Sequence, residues 1–107
     1  MSGKLKKSKI EEFNFEVTRH VVVTDDWYPC FDGNEIVVVL RTIRDGKNFR
    51  VRFSAFGADD FGIAMEHRTT SPEYAYSLFK WWKKWIFDRI PDGVNVEWFY
   101  EHGFYPD

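Results

Sequence analysis

The chain has 107 residues, of which 44% are hydrophobic and 20% aromatic, with 15 Lys+Arg against 17 Asp+Glu and a single cysteine. That length fits one domain burying roughly 60–70% of its unfolded surface, and a formal charge of −2 excludes the basic excess of a dedicated duplex-DNA binder and the strong acidity of a DNA mimic. Cys30 has no partner within the chain, which points to a reducing, cytoplasmic setting, and no apolar run approaches the roughly 18 residues that cross a membrane.

The polar start, Met1 to Lys9, carries lysines with no apolar segment behind them, so it does not read as a secretory signal. A flexible basic tail is expected over 1–12, followed by one α+β domain over 13–107. Apolar residues then alternate at Phe13, Phe15, Val17, Val21 and Val23, which predicts a half-buried strand over 13–24. Asp25 to Asn34 closes with Asp-Gly-Asn turn chemistry and reads as a long, unusually aromatic loop.

Asp45-Gly46 between two strand-like runs predicts a hairpin of 35–44 with 47–56, built on a two-residue type I′ turn. Pairing Arg44 with Lys47 places Ile36, Val38, Leu40 and Thr42 opposite Ala55, Phe53, Val51 and Phe49 on a core face. The other face then carries Arg41 opposite Arg50, Val39 opposite Arg52 and Val37 opposite Ser54. A strand that is apolar on both sides belongs in the middle of a sheet, so 35–44 is expected to pair with 13–24 as well.

Phe56 to Gly62 reads as a turn with a short fourth strand, Ile63 to Glu66, after it. Ser71-Pro72-Glu73 supplies a cap, a proline suited to the first helical position and an acid for the positive dipole end. The helix is expected to run to about Ile90, with Ala75, Leu78, Phe79, Trp82, Trp85 and Ile86 in one stripe over the sheet. Pro91-Asp92-Gly93 ends it, Asn95 caps a short helix over 96–102, and Gly103 stops that helix with Phe104 packing back. The predicted architecture is an antiparallel meander of three to four strands, one long amphipathic helix on one face, and a short C-terminal helix.

Three places invite a functional reading. Lys80, Trp81 and Lys84, within Lys80-Trp81-Trp82-Lys83-Lys84-Trp85, suit nucleic acid, because bases stack on aromatics while lysines follow phosphates. The spacing favours a core stripe edged by solvated lysines, with Trp81 as the partly exposed tryptophan. Arg41, Arg50 and Arg52 converge on the outer sheet face, where like charges need an offset. Glu16 in a surface ion-pair network is the ordinary answer, and an anion or acidic partner bound bidentately is the functional one. With Val37 and Val39 beside them, an apolar centre rimmed by arginine fits a protein interface better than a phosphate cradle. Finally, Trp27 and Tyr28, with Pro29 and Phe31, form either a lid on the core or an exposed recognition tip.

Asp25-Asp26, Asp59-Asp60, Glu66 and His67 match no metal-binding loop, and His20, His67 and His102 lack ligand spacing. No phosphate-binding glycine loop or nucleophile elbow occurs. Neither metal, cofactor nor catalytic residue is expected.

Phe56-Gly57-Ala58-Asp59-Asp60-Phe61-Gly62 with Met65-Glu66, then a helix and Glu101-His102-Gly103-Phe104, resembles a pattern in small uncharacterised bacteriophage proteins. In those an aromatic-Gly-x-Asp-Asp-x-Gly-Met-Glu segment precedes a helix and a terminal Gly-Phe. Here Ile63-Ala64 separates Gly62 from Met65, and Phe56 stands where tryptophan is common. The order strand, Asp25-Asp26-Trp27-Tyr28, hairpin, tryptophan-bearing helix is also similar to that of the T7-type phage inhibitors of host dGTP triphosphohydrolase.

These resemblances imply a compact, non-catalytic early phage protein of the bacterial cytosol that binds and disables a host or defence protein. The expected function is inhibition or modulation by steric occlusion through Val37, Val39, Arg41, Arg50 and Arg52, extended by Trp27 and Tyr28. The alternatives are a single-stranded nucleic-acid or nucleotide-binding module using the same arginines with Lys80, Trp81 and Lys84, and a virion structural or assembly component, for which homo-oligomerisation is the signature.

Overall fold

The computed structural model describes residues 14–58 and 60–107; the expected tail over 1–12, Phe13 and Asp59 lie outside the described residues. Among the described residues, a six-stranded sheet carries helices on one face. Its strands are β1 (Glu16–Val23), β2 (Glu35–Asp45), β3 (Asn48–Gly57), β4 (Gly62–Thr69), β5 (Gly93–Val94) and β6 (Tyr105–Pro106), in the order β5-β1-β2-β3-β4-β6. The α+β class is as expected, with the meander β1 to β4 at the centre. Two short edge strands extend it: β5 runs parallel to β1, and β6 antiparallel to β4. Two-residue strands carry too little periodicity to be read from sequence, because alternation needs several positions to register.

The β2–β3 register corrects the expected one. Asp45 pairs with Asn48, leaving Gly46-Lys47 as the turn, so Arg41 opposes Arg52 and Arg50 opposes Ile43. Gly46 takes φ +62 while Asp45 and Lys47 stay at negative φ. A glycine at the first central position is the signature of a type II′ turn, whereas the expected type I′ turn forces Asp45 into the left-handed region. The pairing slides by two positions. Side chains alternate with period two, so every residue keeps its face and only its neighbours change.

The core face carries Ile36, Val38 and Leu40 from β2, Val51, Phe53 and Ala55 from β3, and Val21 and Val23 from β1, all buried. Thr42 shares that face, and its hydroxyl accepts the Phe15 N–H at 2.9 Å. Helix α1 (Pro72–Trp85) packs over β2, β3 and β4. Its start is as expected, with Ser71 Oγ accepting the Tyr74 N–H at 3.1 Å. Ala75 and Phe79 are buried, and Leu78, Trp82 and Ile86 pack partly buried against the core.

The helix ends five residues before the expected Ile90. Ile86 leaves helical geometry at φ −123, and a 3₁₀ turn, Phe87–Arg89, drops Phe87 and Ile90 into the core. Trp85 therefore sits at the end of the helix and is 41% exposed, against the expectation of a core position. Arg19 holds this exit: it stands on the core face of β1, and its guanidinium donates to the Ile90 carbonyl at 2.6 Å and to Asp92 at 2.9 Å.

Helix α2 (Val96–Glu101) is capped by Asn95, whose Oδ1 accepts the Trp98 N–H at 2.9 Å. It ends in a Schellman motif. Gly103 adopts φ +88, its N–H donates to the Tyr100 carbonyl, and the Phe104 N–H donates to the Phe99 carbonyl. Phe104 then packs edge-to-face on Phe53 at 4.7 Å.

Candidate functional site

No helix among the described residues covers the second face of the sheet. The register lays its side chains out in transverse rows. One runs Glu16, Arg41, Arg52, Glu66; the next Thr18, Val39, Ser54, Ala64, Tyr105; the third His20, Val37, Phe56, Gly62. The face thus has a charged end and an apolar end. Val37 and Val39 are half-buried, while Phe56 is 49% and Tyr105 71% exposed. Exposed aromatic carbon beside partly covered valine is a surface that gains from a partner, since apolar area removed from water stabilises by roughly 25 cal/mol per Å².

The charged row resolves the arginine question differently from the expected pairing. Arg41 and Arg52 face each other across β2 and β3, with Glu16 and Glu66 at the two ends. Glu66 lies 3.2 Å from Arg50 and 3.8 Å from Arg52, and Arg52 also donates to the Asp107 carboxylate at 2.8 Å. The offset expected from Glu16 comes from Glu66 and Asp107. Asp107 arrives there because β6 pairs with β4. Arg41, opposite Glu16, makes no ion pair among the described residues. Of the arginines expected to bind a partner, Arg50 and Arg52 are neutralised within the chain, which weakens any phosphate-cradle reading of this face.

Trp27 and Tyr28 lie off the sheet, in the β1–β2 loop. They line a cleft of about 470 Å³ together with Asp25, Asn95, Glu97 and Tyr100. Trp27 is 83% exposed, so it does not act as a lid, while Phe31 from the same loop packs edge-to-face on Phe61 at 5.2 Å. The loop divides the two alternatives between its residues. Asp25 sets its shape: Oδ1 accepts the Trp27 and Tyr28 N–H groups at 2.9 Å each, and Oδ2 accepts the Val96 N–H at 2.8 Å. Burial pushes the Asp25 carboxyl up, and these backbone hydrogen bonds outweigh it, holding the group below the ordinary carboxylate value.

Lys80, Trp81 and Lys84 stand within about 100° of arc on α1, and the two lysines lie over different rings. The Lys80 ammonium sits 5.0 Å over the Tyr76 ring, whereas Lys84 and Arg89 lie 5.1 and 4.4 Å over Trp85. Trp81 packs edge-to-face on Trp85 at 5.5 Å on a flank of α1 shared with exposed Tyr74. Both tryptophans are on show, one more than expected, because the early helix end takes Trp85 off the core.

Phe56, Tyr105 and Asp107 on the sheet and Glu97 and Tyr100 in the cleft escaped sequence reasoning. Phe56 was legible, since it continues the Arg50, Arg52, Ser54 alternation; the others depend on how α2 and β6 fold back. Among the described residues, no group of three or more His, Cys, Asp or Glu side chains is placed to hold a metal ion, and no helix is long and apolar enough to cross a membrane. No protein-family model matches the sequence, and neither a curated protein nor a solved structure is significantly similar to it.

Proposed function

We propose that the chain is a non-catalytic protein-binding domain that inhibits or modulates a larger host or defence protein by occluding part of its surface. The observation that carries this reading is the sheet face that no helix among the described residues covers, on which Val37, Val39, Phe56 and Tyr105 form an apolar end beside the Arg41 row. Apolar area flanked by charged side chains is the composition of a specific protein interface, whose core is apolar and whose rim is polar. The fitting partner presents apolar side chains to the valine and aromatic rows and a carboxylate to Arg41. The phage character of such a protein rests on the resemblance of the Phe56 to Glu66 segment and the closing Gly103-Phe104.

The test is affinity capture from nuclease-treated bacterial lysate at low and high salt, comparing the natural chain with Val39→Asp and Arg41→Glu variants whose folding is verified by circular dichroism. A stoichiometric protein held at high salt by the natural chain, and lost with Val39→Asp, is the expected result. Recovery of nuclease-sensitive, salt-labile material alone would replace this reading with the nucleic-acid one, because phosphate contacts weaken steeply with ionic strength. Self-association of the purified chain that Val39→Asp abolishes would replace it with the assembly reading.

A further inference from the structure

The cleft between the β1–β2 loop and α2 has a composition unlike the rest of the surface. Among the described residues its lining consists of three aromatic side chains, Trp27, Tyr28 and Tyr100, the carboxylates Asp25 and Glu97, and the Asn95 amide, with no lysine or arginine. All three rings are exposed, and among the described residues none of them stacks on another of the three. Tyr28 is held from behind by Phe31, at a ring separation of 6.4 Å.

The polar groups divide into those already used and those left over. Asp25 spends both oxygens on backbone N–H groups and contributes charge without offering a contact. Asn95 Oδ1 is occupied by the Trp98 N–H. Glu97, one residue into α2, is exposed and makes no ion pair among the described residues. A cavity of about 470 Å³ lies within the range of small-ligand sites. Neutral apolar ligands would leave the Glu97 charge facing them, and anions would meet two carboxylates.

A cation with apolar substituents satisfies both requirements. Aromatic faces attract positive charge, most strongly when the cation is weakly hydrated, and quaternary ammonium groups are recognised by aromatic cages for this reason. We propose that the cleft bounded by Trp27, Tyr28, Tyr100 and Glu97 is a binding site for an alkylated ammonium group, whether on a small molecule of the choline type or on a methylated lysine side chain. The rings enclose the methyl groups, and Glu97 supplies the counter-charge at the mouth. The proposal stands apart from the sheet-face reading, because none of these residues belongs to β1 through β4.

Titration of the full chain with tetramethylammonium chloride, followed by the tryptophan indole N–H resonances and the backbone N–H resonances of Glu97 and Tyr100, tests it. Saturable shifts at Trp27 with a Kd on the order of millimolar are expected. The neutral choline isostere 3,3-dimethylbutan-1-ol should produce none. Trp27→Ala should weaken binding by about tenfold and Glu97→Gln, an exposed charge, by about two- to fivefold, with the remaining spectrum unchanged. Choline and acetyl-trimethyllysine amide, titrated in parallel, identify the source by which binds more tightly. The proposal is overturned by the absence of a saturable shift, by equal binding of the neutral isostere, or by a Trp27→Ala chain that binds undiminished.

Discussion

Asp25 and Val96 are 71 positions apart in the chain, and Asp25 Oδ2 accepts the Val96 N–H at 2.8 Å in a buried contact. The same carboxylate shapes its own loop through Trp27 and Tyr28, so one side chain positions both walls of the aromatic cleft. In Asp25→Asn an amide N–H₂ takes the place of one acceptor oxygen. The Val96 N–H is then left without a partner, at a cost of about 1–3 kcal/mol read from the urea midpoint.

The same contact has a pH signature. The folded carboxyl titrates below the unfolded one, so its contribution is complete above the ordinary value near 3.8 and is lost as pH falls through the lower folded value. The difference in unfolding free energy between the natural chain and Asp25→Asn should therefore be constant near neutrality and shrink below about pH 4. A difference that stays flat down to about pH 2 would show that the charge on Asp25 contributes nothing.

Gly57 closes the β2–β3 ladder where two backbones approach. A Cβ there would stand 2.8 Å from Ile36 Cγ2 and 3.0 Å from the Glu35 carbonyl oxygen, and Ile36 is fully buried. Gly57→Ala is expected to destabilise by about 1–3 kcal/mol through this overpacking. Gly46→Ala, with nothing near its Cβ but φ at +62, tests backbone strain alone.

Arg19→Met should cost about 1.5–3 kcal/mol, since the Ile90 carbonyl loses a charged donor at 2.6 Å, while the pair with fully exposed Asp92 adds little. Hydrogen exchange would locate the effect: protection should fall at the Thr24 N–H, which bonds to the Val94 carbonyl on β5.

Arg52→Ala is expected to change global stability by less than about 1 kcal/mol, because its partners Glu66 and Asp107 are partly solvated. The local consequence should be larger. Release of Asp107 frees β6, read as loss of protection at the Asp107 N–H, which bonds to the Gly62 carbonyl.

Much of the architecture follows from local chemistry that a sequence displays. Ser71 and Asn95 cap helices with short side-chain oxygens, Gly103 permits the left-handed residue of the Schellman motif, and alternation assigns Ile36, Val38 and Leu40 to one face and Val37, Val39 and Arg41 to the other. Those properties depend on residues within a turn or two of each other. Alternation has period two, so it cannot distinguish pairings that differ by two positions, and the Gly46 backbone decided that Arg41 meets Arg52. Helical periodicity continued past Trp85, and the demand of Phe87 and Ile90 for the core ended α1 there and exposed Trp85. The counter-charges at Glu66 and Asp107, and the meeting of Trp27 and Tyr28 with Glu97 and Tyr100, needed tertiary structure, because each joins segments whose separation in sequence carries no local signal of their contact.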